Sequence, residues 1–261
     1  PGLGRLNCQF RNRCRRGCPF GAYFSSNSST LPAAEATGNM TLRTNSIVYE
    51  VIYDETNKKA SGVKIIDSET NLTYEFKAKI IFMCASTVPT TSILMQSKSN
   101  RFPNGLGNDS GELGHNIMDH HFQIGADASY DGFEDKYYTG RRPNGIYIPR
   151  FQNIGGKTKN KNFLRGYGYQ GGASRTDWTK YVKEASYGEK LKQAIIKPGQ
   201  WKMGLNGFGE VLPYHDNKIF LDYNKTDKWG LPTVTFDAKL RENELNMRKD
   251  MQLQAMEMLD N

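Results

Sequence analysis

In Lys79-Ile80-Ile81-Phe82-Met83-Cys84-Ala85-Ser86-Thr87 the apolar residues from Ile80 to Cys84 follow one another without the polar alternation of a half-solvated strand. Such a run suits a strand covered on both faces, as in a parallel sheet. Ala85, Ser86 and Thr87 make a small-residue turn, Pro89 fits a first helical turn, and Ile93, Leu94 and Ser97 continue helically. Strand, turn and helix in this order place the turn at the carboxyl end of a strand. Small side chains there let a ligand's phosphate or ribose approach backbone N–H groups.

Upstream, residues 1–30 are dense in Arg, Gly, Cys and Ser and read as a loop, ending at a cap near Ser29 or Thr30 and a short helix over 31–36. The runs 40–42, 46–54, 60–67 and 72–77 are rich in Val, Ile, Thr and Tyr, and Asp-led polar turns part the last three. They predict an antiparallel meander. Downstream, the runs 122–130, 145–151, 163–171, 201–213, 218–222 and 233–236 are strand-like and aromatic, and predict a second, mainly antiparallel sheet. A helix interrupted at 186–188 is expected over 176–197. A longer one over 239–259 carries an apolar stripe of Leu240, Leu245, Met247, Met251, Leu253, Met256 and Leu259. The fold class is thus α/β plus α+β, divided into 1–119 and 120–261.

The chain has 261 residues and a net charge of +8. Its basic residues cluster at Arg11, Arg13, Arg15 and Arg16 and at Lys157, Lys159 and Lys161, and elsewhere interleave with acids as on a solvated surface. No nucleic-acid-binding module pattern is present, so nucleic acid is not an expected partner. The longest apolar run falls far short of the ~20 residues that cross a bilayer, so no membrane span is expected. Nothing resembles a secretory leader, but the sequence opens at Pro1, and cytoplasmic and periplasmic locations both stay open.

Cys8, Cys14 and Cys18 are spaced C-x5-C-x3-C, with Cys84 far away. A zinc or iron-sulfur site would need a fourth ligand from Cys84, His115, His120, His121 or His215; reduced thiols or one local bridge is the simpler reading, and no metal is expected. His120 and His121, being adjacent, cannot both face one metal from a strand, and Asp119 is placed to orient an imidazole.

The sequence contains, in order, Gly17-Cys18-Pro19-Phe20-Gly21-Ala22 and Ser28-Ser29-Thr30-Leu31-Pro32-Ala33-Ala34, then the strand 44–54 with Val48, and Ser86-Thr87-x2-Thr90-x2-Ile93-Leu94-x2-Ser97. Gly114-His115-Asn116-Ile117-Met118-Asp119-His120, Gly209-Glu210-Val211-Leu212-Pro213, 217–222 and Lys228-Trp229-Gly230-Leu231-Pro232 follow. In this order they resemble the glucose-methanol-choline (GMC) family of FAD-dependent oxidoreductases, especially its sugar and gluconate dehydrogenase branch, over nearly the whole chain. Thr91 and Lys98-Ser99-Asn100 depart from the second family signature. The Gly-rich FAD fingerprint is missing, because Asn7 stands where the third glycine after Gly2 and Gly4 belongs.

The resemblance implies that residues 1–119 are a partial FAD-binding, Rossmann-like domain and 120–261 a partial substrate-binding domain, together an internal fragment of a larger enzyme. It implies FAD as cofactor, with Val48 and the turn Ala85, Ser86 and Thr87 at its adenosine end and Asn27 and Ser28 as further contacts. The aromatic strands would wall a pocket for a sugar or small alcohol, oxidised by hydride transfer to the flavin. The catalytic histidine would lie beyond Asn261, so no catalytic residue is assigned in this chain, and the partners would be the missing segments or another subunit. A non-catalytic carbohydrate-binding module and a basic nucleic-acid-binding protein are the alternative readings.

Overall fold

The computed structural model describes residues 3–10, 14, 17–121, 123–133, 135, 145–175, 187–196 and 199–260. In chain order the elements are α1 (Thr30–Glu35), β1 (Ser46–Asp54), β2 (Lys59–Asp67), β3 (Thr73–Lys77), α2 (Thr87–Gln96), β4 (Ile124–Tyr130) and β5 (Gly145–Ile148). A 3-10 turn at Gly156–Thr158 precedes β6 (Tyr167–Arg175), α3 (Glu189–Ile196), β7 (Trp201–Gly209), β8 (Lys218–Thr226), β9 (Pro232–Asp237) and α4 (Glu242–Asp260). Two compact units result: Leu42–Met118 with Leu212–Lys239, and Pro1–Thr41 with Asp119–Val211 and Leu240–Asn261. The change at 118/119 lies one residue from the expected division, but the chain also crosses after Thr41, Val211 and Lys239.

In the first unit β1, β2 and β3 form an antiparallel sheet in sequential order. Its turns are set by side chains: Asp54 Oδ1 accepts the N–H groups of Thr56 and Asn57, and Asp67 Oδ1 those of Glu69 and Thr70. The Thr70 N–H, with the Arg43 guanidinium and then the Glu69 N–H, holds the Asp67 carboxyl down at about 2. Helix α2 packs on β1, where the Val51 N–H donates to Ser97 Oγ at 2.8 Å and the Ser97 hydroxyl donates on to the Ile93 carbonyl at 2.6 Å. Val51, Ile65, Ile66 and Ile93 are buried there. The hairpin β8–β9 also belongs to this unit, tied by Ile219 N–H to Gly114 O and Ile117 N–H to Asn217 O, both at 2.9 Å.

In the second unit the antiparallel sheet runs β4-β7-β6-β5, and α4 lies along one face. Strand alternation turns Ile124, Ala126, Tyr167, Tyr169, Met203 and Leu205 toward the helix, where they close a core with Phe163, Met247, Met251, Ala255 and Leu259. Three phenols fasten the sheet to the helix. Tyr167 donates to Asp250 Oδ2 at 2.5 Å, Tyr169 to the Met251 carbonyl at 2.5 Å and Tyr130 to the Leu259 carbonyl at 2.7 Å. Burial, the largest cause, pushes the pKa values of Tyr167 and Tyr169 well up, so both remain donors.

Several expectations are corrected. Residues 79–84 form no strand, because among the described residues no neighbouring strand is there to pair them. Residues 40–42 are also not a strand, and β8–β9 is a separate two-stranded sheet rather than part of the second one. The apolar stripe of α4 is only partly right: Met247, Met251 and Leu259 are buried with Ala255, whereas Leu245, Leu253 and Met256 are exposed, as is Leu240 before the helix. Spacing by four along 247, 251, 255 and 259 selects one face, and the other apolar residues lie off it. Glu244 is buried instead, accepting the Arg241 N–H as part of the helix start. The expected helical stretch before Tyr187 and the arginines at 11, 13, 15 and 16 lie outside the described residues.

Truncating Met251, fully buried, to Ala is expected to cost about 2–5 kcal/mol. Leu253→Ala, two residues away but 63% exposed, is expected to stay within about 0.5 kcal/mol. Urea unfolding of the two variants checks which helix face is inside.

Candidate functional site

Four of the sequence-predicted cofactor contacts fall in the first unit. Ala85, Ser86 and Thr87 are exposed and lead into α2, while Val48 is half-buried in β1, opposite Ile65 and just before a register shift in the ladder. Ser86 is the N-cap residue of α2 and sits at φ 65°, ψ 173°, a region that non-glycine residues enter at a cost of about 1–3 kcal/mol. Its side chain makes no capping hydrogen bond, although its carbonyl accepts the Thr90 N–H at 3.0 Å. Among the described residues the N–H groups of Thr87 and Val88 have no partner, leaving donors at the positive end of the helix dipole. A strained turn that exposes unpaired N–H groups suits the polar portion of a nucleotide.

Asn27 and Ser28 lie in the other unit, in a turn before α1. Ser28 is locked internally: its N–H donates to the Ser25 carbonyl at 3.2 Å, and its hydroxyl lies within reach of the Tyr23 carbonyl and the Ser25 hydroxyl. Asn27 is exposed. Arg5, which the sequence reading did not single out, holds this loop from the far side of the cysteine segment. Its Nε donates to the Gly21 carbonyl at 2.9 Å and its Nη1 to Ser29 Oγ at 3.1 Å. All four cysteines are free thiols. Backbone N–H groups, Tyr23 first and then Phe20, pull the Cys18 thiol below its ordinary pKa.

The second unit presents a different surface on the sheet face turned away from α4. The pairings Tyr147↔Gln170 and Gln170↔Asn206 set three polar side chains in one row across β5, β6 and β7. The neighbouring row holds Gly145, Gly172, Gly204 and Asp127, and on the other side Phe208 faces Gly168. The ring of His120 meets Phe208 edge-on at 6.0 Å. Among the described residues the side chains of Tyr147, Gln170, Asn206 and Asp127 make no hydrogen bond to the protein. Glycines around a row of free amides leave a low floor with donors and acceptors rising from it, flanked by aromatic rings. The aromatic strands therefore divide: Tyr167, Tyr169, Phe151 and Phe163 are core, and among the described residues Tyr147 and Phe208 reach the open face. The alternation within each strand could have separated them once the helix-facing side was known.

The histidines separate into two environments. His115 stacks on His215 with centroids 4.1 Å apart, its Nδ1 2.7 Å from the His215 carbonyl, and His215 Nε2 pairs with Glu112 at 3.3 Å. His121, in contrast, is 2% exposed, packed beside Gly209 where Met247 and Met251 close in. Neither of its ring nitrogens has a hydrogen-bond partner among the described residues. Desolvation, followed by the Arg248 charge, pushes its pKa below the ordinary 6.5. Among the described residues no group of three or more His, Cys, Asp and Glu could hold a metal ion, and no described helix is long and apolar enough to cross a membrane.

Comparison with known proteins places residues 6–122 on the family model described as GMC oxidoreductase. The chain is 28% identical over 236 residues to 2-methyl-1,2-propanediol dehydrogenase of Mycolicibacterium austroafricanum, covering 88% of this chain and 41% of that protein. It is 25% identical over 237 residues to the fructose dehydrogenase large subunit of Gluconobacter japonicus, covering 90% of this chain and 42% of that protein. The chain thus spans about two fifths of the length of the curated relatives it matches. The family-level similarity is to oxidoreductases, and both relatives are dehydrogenases.

Burial of His121 gives a pH dependence with a fixed sign. Its pKa is lower folded than unfolded, so the unfolded chain binds the extra proton first. This contribution to stability is complete above about pH 6.5 and is lost as pH falls through the folded-state value. Urea unfolding at a series of pH values is expected to show that loss in the parent and a smaller one in His121→Phe.

Proposed function

We propose that this chain is the cofactor-cradling and substrate-facing part of an FAD-dependent GMC-type dehydrogenase that oxidises a CH–OH group of a sugar, sugar acid or related alcohol. The single observation that carries the substrate side is the open face of the β4-β7-β6-β5 sheet. There Tyr147, Gln170 and Asn206 stand in register above a glycine floor with free hydrogen-bonding groups. Carboxamides both donate and accept, which matches vicinal hydroxyls, and the rings of Tyr147 and Phe208 suit the apolar face of a sugar. That the two relatives are named for a diol and for fructose supports a polyol as the substrate class.

On the cofactor side, the unpaired N–H groups of Thr87 and Val88 and the small side chains of Ala85 and Ser86 fit the polar part of an adenosine. Val48 offers backbone at the irregular point of β1. Asn27 and Ser28, on the loop that Arg5 holds, are the further contacts proposed. When bound, the flavin supplies the hydride acceptor, and this chain's residues bind and orient. The base that takes the alcohol proton is assigned to the longer polypeptide. In functional terms 1–119 serves the cofactor and 120–261 the substrate, although compactness groups the chain otherwise.

Three measurements on the longer polypeptide test the reading. Anaerobic addition of fructose or a vicinal diol is expected to bleach the flavin, and no bleaching by any polyol would overturn it. Asn206→Leu is expected to raise KM for the polyol about tenfold, the equivalent of ~1.4 kcal/mol, with the flavin content unchanged. Thr87→Glu, placing a negative charge against the adenosine end, is expected to lower FAD affinity by about tenfold or more, read from flavin absorbance after dialysis.

A further inference from the structure

We infer that Asp127 sets the charge preference of the open sheet face and selects neutral polyols over sugar acids. The inference rests on the reading of that face as the substrate side, and narrows it. In β4, Asp127 stands between Ala126 and Ala128, which pack on the core beneath, so its own side chain rises from the opposite, open face. Directly across the ladder is Gly204 of β7, where a Cβ would overlap Asp127 Oδ1 and come within 3.5 Å of its Cγ. The carboxylate therefore leans over the neighbouring strand and fills the space that a side chain at 204 would take. Gly172 and Gly145 continue the same row across β6 and β5, so the floor beyond the carboxylate carries no side chains. Among the described residues Asp127 makes no hydrogen bond or ion pair. Asn206 and Gln170 stand in the adjoining row, two residues along their strands and so about 7 Å away.

An ionised carboxylate only accepts hydrogen bonds, and its two oxygens match the two O–H groups of a vicinal diol. The amides of the next row donate as well as accept. A hydroxylated ring or chain lying over the glycines is thus held from both sides. A sugar acid brings a group with no proton to give, and against Asp127 it sets two negative charges together without a donor between them. Selection then comes from repulsion of the acid as well as attraction of the polyol. Lys202, a cation on the same face, stands in the row on the far side of Asp127 from the amides and makes no ion pair with it among the described residues. An anion held by the amides would meet Asp127 before it met Lys202.

The test uses the longer polypeptide with matched neutral and acidic probes, fructose with gluconate and glycerol with glycerate, and reads kcat/KM from anaerobic flavin bleaching. The parent is expected to favour the neutral member of a pair by about tenfold or more. Asp127→Asn is expected to raise KM for the polyol about tenfold and to improve kcat/KM for the acid about tenfold, with flavin content unchanged. Gly204→Ala, which shifts the carboxylate without removing its charge, is expected to weaken the polyol by a similar factor without improving the acid. A neutral-to-acid ratio unchanged in Asp127→Asn would overturn the inference, and so would a parent that prefers the acid. If no polyol bleaches the flavin, the proposed function fails, and dissociation constants of fructose and gluconate from saturation-transfer NMR decide the inference separately. Opposite shifts of the two constants in Asp127→Asn support it, and parallel shifts, no shift or no binding overturn it.

Discussion

A peptide group withdrawn from water must find a hydrogen-bond partner, and this requirement organises both units of the chain. In the β4-β7-β6-β5 sheet it is met strand by strand, and three tyrosines extend the pairing to α4 by donating to a carboxylate and two helix carbonyls. In the β1-β2-β3 sheet it is met up to Ala78 and then abandoned. Among the described residues no backbone group of Lys79 to Ala85 has a partner, and Ile80, Phe82 and Cys84 are exposed.

The proposed cofactor end in the first unit and the proposed substrate end in the second obey different rules. At the cofactor end the chemistry is backbone: a strained Ser86, unpaired N–H groups and small side chains that keep out of the way. At the substrate end it is side chain, with amides and rings rising from strands whose other face is fixed by a tightly packed core. Rigidity on the core side holds Gln170 and Asn206 in one register, which the proposed hydroxyl recognition requires. Just before β4, His120 looks toward Phe208 while the buried His121 turns into the methionine-lined interior.

Much of this was legible from residue order. The strand over 46–54 and the Asp-led turns at 54 and 67 follow from β-branched runs and Asx chemistry. Other features depend on tertiary context that a linear pattern does not contain. Apolar content alone does not select which face of α4 is buried, so Leu253 and Met251 read alike although only one is inside. The aromatic strands read as pocket walls until the partners of Tyr167 and Tyr169 revealed them as core. The role of Arg5 rests on long-range bonds to Gly21 and Ser29 that no local signal announces. The run 79–84 has the composition of a buried strand but forms none, because among the described residues no strand pairs with it.

The account's central claim is that these residues supply only part of a nucleotide cradle. Calorimetric titration of FAD into residues 1–261 and into the longer polypeptide measures this directly. Weak or no binding by the former and tight, one-to-one binding by the latter is the predicted result, whereas tight, one-to-one binding by residues 1–261 alone would contradict it.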